Sequence, residues 1–280
     1  MEWKFPACKL EVVNLNGHNK LLTKFCDEHE LSTVDDEQNF DDSNLRIIES
    51  GQGLIVEWFS NNASFSQHNN KKGKRKPFRL SIDIQSFVDK QKTFPAPKQG
   101  AFNQALGKKT RHVVDATAGW AGDALLMCAQ GYQVTLIERN PLMALLLKDA
   151  MQRLSETAWC NHNELVAPRV VNANTIDLMS SENLESDCVY LDPMFPKKKK
   201  KFAKTNKYMQ FLQWLVGADA DADSLLAAAI NSGCPRIAVK RPDYAKPLMD
   251  DIIQPNECFS SKLVHYDVYL NPRHNILKPN

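Results

Sequence analysis

Val113-Val114-Asp115-Ala116-Thr117-Ala118-Gly119-Trp120-Ala121-Gly122-Asp123 decides the reading of this chain. An apolar run ends in an acidic residue, small residues fill the turn after it, and a glycine stands where a helix begins. That is the order of a strand, a tight loop and a covering helix in an open α/β fold. Small side chains let the backbone approach a ligand closely, and the carboxylates of Asp115 and Asp123 accept hydrogen bonds from an ammonium or from hydroxyls. A dinucleotide site would instead want Gly-x-Gly-x-x-Gly, so that a pyrophosphate reaches the helix terminus. Only Gly119 and Gly122 occur here, and Asp123 repels phosphate. The loop therefore favours a cofactor that carries positive charge, such as S-adenosylmethionine, over a nicotinamide dinucleotide.

Working outward, strand and helix patterns alternate. Residues 112–115 and 133–137 read as strands, 121–130 and 141–154 as helices, and Pro141 suits a first helical position with Asn140 as its cap. Further strands are predicted at 168–173, 186–191, 236–240 and 262–270, with one long helix around 209–231. This order argues for a parallel sheet covered by helices. Glu138 closes the second strand about 20 residues beyond the loop, where an acidic residue in such folds binds ribose hydroxyls. Its successor Arg139 is placed to orient it.

Val189-Tyr190-Leu191-Asp192-Pro193-Met194-Phe195-Pro196 runs an apolar strand into an Asp-Pro-x-aromatic turn, at the sheet edge where ligands of open α/β folds bind. An exocyclic amine of a nucleobase is a poor nucleophile because its lone pair is delocalised into the ring. An acceptor such as Asp192 is needed to hold its hydrogens and aim the lone pair. Pro193 fixes the backbone, and Phe195 offers a face for an extruded base. Lys197, Lys198, Lys199, Lys200 and Lys201 follow at once and suit phosphates beside such a pocket. Lys240 and Arg241, after the fifth strand, form a second basic element that either contacts phosphate or, through Arg241 and Asp243, pairs within the fold.

Ahead of the loop, strand-like runs at 54–59 and 78–83 flank a polar stretch at 61–76, and Pro95, Pro97 and Gly100 punctuate the chain. The expected division is a small, partly β N-terminal region over 1–95 and an α/β domain over 96–280. No apolar run approaches the roughly 18 residues of a membrane span, and the start lacks a basic segment followed by an apolar one. A soluble, unexported, cytoplasmic protein is expected. The seven cysteines are scattered without Cys-x-x-Cys pairs, so reduced thiols and no metal are expected. A net charge of +2 announces no nucleic-acid partner by itself; the basic runs at 71–76 and 197–201 say more than the sum.

The chain resembles the RsmJ family, methyltransferases that modify the N2 amine of a guanosine in small-subunit (16S) rRNA. The resemblance is carried, in order, by Asp115 to Gly119, Ile137 to Pro141, Val189 to Pro196, Leu215 to Asp219 with Asp221 to Asp223 and Leu225-Leu226, and Val239 to Tyr244. It implies a class I methyltransferase fold, Rossmann-like with a seven-stranded sheet, and the small ribosomal subunit as partner. It also implies S-adenosylmethionine contacts at Gly122, Asp123, Glu138, Arg139, Asn174, Thr175 and Asp192, beside the Asp115 and Gly119 of the loop. Family members usually carry Arg where this chain has Gly122, and Ser-Ser where it has Asn174-Thr175. From the residues alone, an amino-methyltransferase of adenine or cytosine in RNA or DNA, or a non-catalytic RNA-binding assembly factor, stays open.

Overall fold

The strand–helix order expected from the central loop is the order found in the computed structural model, which describes residues 10–13, 19–31, 33–34, 45–58, 77–181, 185–194, 206–217 and 221–271. The first part of the chain holds β1 (Leu10–Val13), α1 (Lys20–Glu28), β2 (Thr33–Val34), β3 (Leu45–Ser50), β4 (Gly53–Trp58), β5 (Phe78–Leu80), α2 (Ile84–Asp89) and α3 (Gly100–Leu106). The second holds β6 (His112–Asp115), α4 (Gly122–Ala129), β7 (Gln133–Glu138), α5 (Pro141–Glu156), α6 (Ala158–His162), β8 (Arg169–Asn172), α7 (Thr175–Ser181) and β9 (Cys188–Leu191). After these come α8 (Lys207–Val216), α9 (Ala222–Asn231), β10 (Arg236–Pro242), β11 (Glu257–Ser260) and β12 (Val264–Leu270).

Seven strands form one sheet in the order β11-β12-β10-β9-β6-β7-β8. β8, β7, β6, β9 and β10 are parallel, and β12 runs antiparallel to both β10 and β11. The chain winds from β6 out to β7 and β8 and then returns to β9 on the other side. The gap above β6 and β9 is therefore the point where strand order reverses, the place ligands occupy in such sheets. All four residues of β9 are buried, as expected for a central parallel strand covered on both faces.

Asn140 caps α5 as its sequence position requires, its side chain accepting from the Met143 amide at 3.1 Å, with Pro141 in the first turn. The single long helix expected over 209–231 is two helices. Gly217 ends α8 with φ of +81°, a left-handed conformation that a side chain resists, and α9 starts afresh at Ala222. The strand expected over 78–83 stops at Leu80, because Asp83 turns to cap α2, accepting from Ser86 N at 2.9 Å.

The N-terminal strands form their own sheet, ordered β2-β1-β3-β4-β5. Its core is continuous with that of the larger sheet. Asp149 in α5 accepts from the Leu54 amide at 3.1 Å and from Arg153 Nε at 2.9 Å, while Arg153 Nη2 donates to the Ile82 carbonyl at 3.1 Å. Gly53 makes the fit possible: at φ of +103°, a Cβ there would fall 2.5 Å from Arg153 Cζ and 2.7 Å from Asp149 Oδ2. Trp58 packs edge-on against Phe211 of α8, with ring centroids 5.8 Å apart, and Phe211 meets Trp120 of the central loop at 5.8 Å. The N-terminal sheet thus braces the helix that covers the reversal point.

Candidate functional site

A cavity of about 540 Å³ opens at the carboxyl ends of β6, β7, β9 and β10, within the size range of small-molecule sites. Its walls include Asp115, Gly119, Gly122, Asp123, Glu138, Arg139, Asn174, Thr175, Asp192, Pro193, Lys240 and Arg241, so every described residue singled out from the sequence lines one pocket. Phe195 and Lys197, Lys198, Lys199, Lys200 and Lys201 lie outside the described residues, as does the basic run at 71–76.

Backbone amides and hydroxyls build the loop. Ala116 N donates to the Tyr190 carbonyl at 3.0 Å, and Thr175 Oγ1 donates to the Ala116 carbonyl at 2.8 Å. Asp192 N donates to Thr117 Oγ1 at 2.7 Å, which ties the Asp-Pro turn to the cofactor loop. Glu138 accepts from Gly119 N at 3.2 Å and from Asn140 N at 2.8 Å. Asn174 Oδ1 accepts from Ile176 N at 3.0 Å and so fixes the start of α7. The residue forced into a left-handed conformation just before α4 is Ala121, with φ of +59°. Gly122 itself has open space where a Cβ would sit, so it offers a ligand only backbone.

The electrostatics centre on carboxylates. Asp115 is buried, and desolvation pushes its carboxyl up to about 7; the Thr117 amide opposes the rise, Asp123 and Asp192 add to it, and Lys240 opposes it. Lys240 Nζ donates to Asp123 Oδ2 at 2.8 Å and to Asp192 Oδ2 at 2.9 Å. Burial works against its charge, yet the two carboxylates hold its pKa above the ordinary lysine value. Tyr190 Oη donates to the same Asp123 oxygen at 2.6 Å, and burial followed by that carboxylate pushes its phenol well up.

Three basic residues at the pocket have partners that the sequence did not indicate. Lys240, expected on phosphate, is clamped between two carboxylates at the pocket floor. Arg241 is buried, with Nε and Nη2 donating to the Lys246 carbonyl and its charge facing Asp267. Arg139, expected to orient Glu138, also pairs with Asp221 at 2.8 Å, while the amides of Gly119 and Asn140 hold the Glu138 carboxylate. Residues that sequence reasoning gave no role also line the cavity, among them Trp120, Tyr190, Met209, Leu212 and the half-exposed Tyr244. Tyr244 ends the stretch Val239 to Tyr244, so an aromatic after the fifth strand was the available signal.

No metal was expected. Among the described residues, Cys258, His265 and Asp267 bring ligand-type atoms together outside the cavity, with His265 Nε2 3.5 Å from Asp267 Oδ2. Burial raises the Asp267 pKa, opposed by His265 and Arg241, which stand beside it.

The residues fit a cationic amino-acid cofactor. Asp115, Asp123, Glu138 and Asp192 surround the cavity, the loop above it carries Ala118 and Gly119, and the first turn of α4 presents Asp123, which opposes a pyrophosphate. Sheet order, pocket position and carboxylate set together define a class I methyltransferase. A SAM-dependent methyltransferase family model matches residues 47–271. The ribosomal RNA small subunit methyltransferase J of Shewanella loihica is 37% identical over 205 residues, covering 72% of this chain and 78% of that protein. Its counterpart from Hydrogenovibrio crunogenus is 42% identical over 159 residues, 56% of each chain. A SAM-dependent methyltransferase structure from Neisseria gonorrhoeae shares the fold, with a TM-score of 0.64 at 19% identity over 97% of this chain and 100% of that one. The chain belongs to the SAM-dependent methyltransferases and, within them, to the ribosomal RNA small subunit methyltransferase J family. No helix of the described residues is long and apolar enough to cross a membrane.

Proposed function

We propose that this enzyme methylates the exocyclic N2 amine of a guanosine in small-subunit ribosomal RNA. The observation that carries the reading is the placement of Asp192, on the turn after β9, half-exposed beside the cofactor loop and hydrogen-bonded to it through Thr117. S-adenosylmethionine supplies an electrophilic methyl group on a sulfonium. Glu138 is set to accept from ribose hydroxyls, and Asp123 with Asp192 gives the cavity the negative character that a sulfonium and an ammonium need. Asp192 accepts a hydrogen of the base amine and so aims the nitrogen lone pair at the methyl group. Pro193 holds the turn, and Phe195, with the half-exposed Tyr244, supplies aromatic faces for an extruded base. Lys197 to Lys201 follow directly and steer the RNA backbone.

The test is transfer from methyl-labelled S-adenosylmethionine to 16S rRNA and to assembled small subunits, followed by nucleoside digestion. N2-methylguanosine is the expected product, and Asp192→Ala should lose at least about 100-fold in turnover while staying folded. Labelled adenosine or cytidine would overturn the base assignment, and binding without transfer would favour an assembly factor.

A further inference from the structure

The Lys240 side chain is a basic group at the pocket floor that the catalytic reading leaves unexplained. Its place follows from sheet register. Val239 pairs with Leu191 across the parallel strands β10 and β9, so Lys240 and Asp192 are the next residues along each strand. On its other side Lys240 pairs with Tyr266 of β12. From that position Nζ reaches Asp192 at 2.9 Å and Asp123 at 2.8 Å, and Tyr190 closes the set on Asp123 at 2.6 Å. Lys240 is only 23% exposed, less than either carboxylate it joins.

We propose that Lys240 is a positioning residue that orients the Asp192 carboxylate for methyl transfer and does not contact RNA phosphate. This rests on the reading of Asp192 as the amine acceptor. The short, charged donor fixes one oxygen of Asp192 against the far wall, so the carboxylate meets the substrate amine in a single orientation. The same cation offsets charge among Asp115, Asp123 and Asp192. A phosphate ligand would be exposed and free to reach outward; this ammonium turns two of its three donors inward.

The groups facing Lys240 are Asp192 and Tyr190 from β9 and its turn, Asp123 from α4, Asp115 from β6 and Tyr266 from β12. Removing the cation leaves the carboxylates mutually repelling, so the pH at which Asp192 takes a proton rises. A merely structural lysine would not move that limb of the pH profile.

Lys240→Met and Lys240→Arg separate the roles, read by kcat, KM for 16S rRNA, S-adenosylmethionine affinity by calorimetry, and RNA binding across salt concentrations. Lys240→Met should lower kcat on the order of 100-fold and move the acid limb of kcat to higher pH. RNA affinity should stay within about twofold of wild type with an unchanged salt slope. Lys240→Arg keeps the charge and should restore the acid limb and part of kcat. A Met variant that keeps kcat but binds RNA more weakly, with a slope shallower by about 0.7–0.9, would make Lys240 a phosphate contact and overturn the proposal. Acetylation of wild-type lysines, followed by mass spectrometry, decides the matter should the Met variant not fold. Lys240 should react slowly with and without RNA, whereas rapid labelling that RNA suppresses would overturn the proposal. Should wild-type protein itself transfer no methyl group to 16S rRNA, the functional reading fails first and separately.

Discussion

The Glu138 carboxylate accepts a hydrogen bond from the Gly119 amide at 3.2 Å, joining the end of β7 to the loop after β6. With Asn140 N on its other oxygen at 2.8 Å, the side chain both shapes the loop and faces the cavity. Glu138→Gln keeps the size but turns one acceptor into a donor that meets an amide. Hydrogen bonds to a charged group are worth about 1.5–3 kcal/mol, so S-adenosylmethionine affinity should fall roughly 10–100-fold. Calorimetry measures this directly, and an unchanged Kd would remove Glu138 from the cofactor site.

Asp115 gives stability an unusual pH dependence. Its folded carboxyl titrates at about 7, raised chiefly by burial, whereas an ordinary aspartate does so at 3.8. Between those values the folded protein holds a proton that the unfolded chain has lost, so this group makes folding less favourable as pH rises, and the effect levels off above about 7. Asp115→Asn should therefore raise the melting temperature of the cofactor-free protein at pH 8 and leave it nearly unchanged at pH 4. Thermal melts at the two pH values check the sign; an equal change at both would show that no proton is held.

The same chemistry explains what the sequence disclosed and what it hid. The buried strands of the large sheet were legible because parallel strands covered on both faces read as unbroken apolar runs, as Cys188 to Leu191 do. Asn140-Pro141 announced α5 through capping, a local interaction. By contrast β11, mostly exposed along Glu257-Cys258-Phe259-Ser260, carries no such run, and α1 and α3 passed unnoticed among polar residues. The break at Gly217 was hidden by apolar periodicity on both sides of it. At the site, carboxylates and small residues were legible because their types alone select a cationic ligand. The surroundings of Lys240, Arg241 and Arg139 were not, since each faces a charge far along the chain: Asp123, Asp267 and Asp221. A basic residue after a strand looks the same whether it turns to phosphate or to carboxylate.

The proposed RNA contact of the lysine run can be tested by its charge. Replacing Lys197, Lys199 and Lys201 by Gln removes three charges beside the Asp-Pro turn. Each lost phosphate contact should reduce the salt slope of binding by about 0.7–0.9, hence by roughly 2 for three. RNA titrations from low to moderate salt should show weaker binding and a flatter slope, with kcat at saturating RNA little affected. A slope equal to wild type would place the run in solvent throughout the reaction.

Trp58 connects the N-terminal sheet to catalysis through packing alone. Its ring lies 5.8 Å from Phe211 and 5.6 Å from Trp214, both on α8, and Phe211 touches Trp120, whose Nε1 donates to the Tyr208 carbonyl at 3.1 Å. Leu212 and Met209 of the same helix wall the cavity. Truncating a buried aromatic costs about 3–5 kcal/mol, and the void opened by Trp58→Ala lies directly behind α8. The variant should melt at lower temperature and bind S-adenosylmethionine more weakly, although no cofactor-facing residue has changed. Trp58→Phe should recover most of both, since it refills the space with an aromatic ring. Hydrogen exchange supplies the deciding measurement: faster exchange in α8 of the Ala variant, with β6 and β7 unchanged, is expected if the N-terminal sheet acts by holding that helix in place. Uniformly faster exchange would reduce Trp58 to a general contributor to stability.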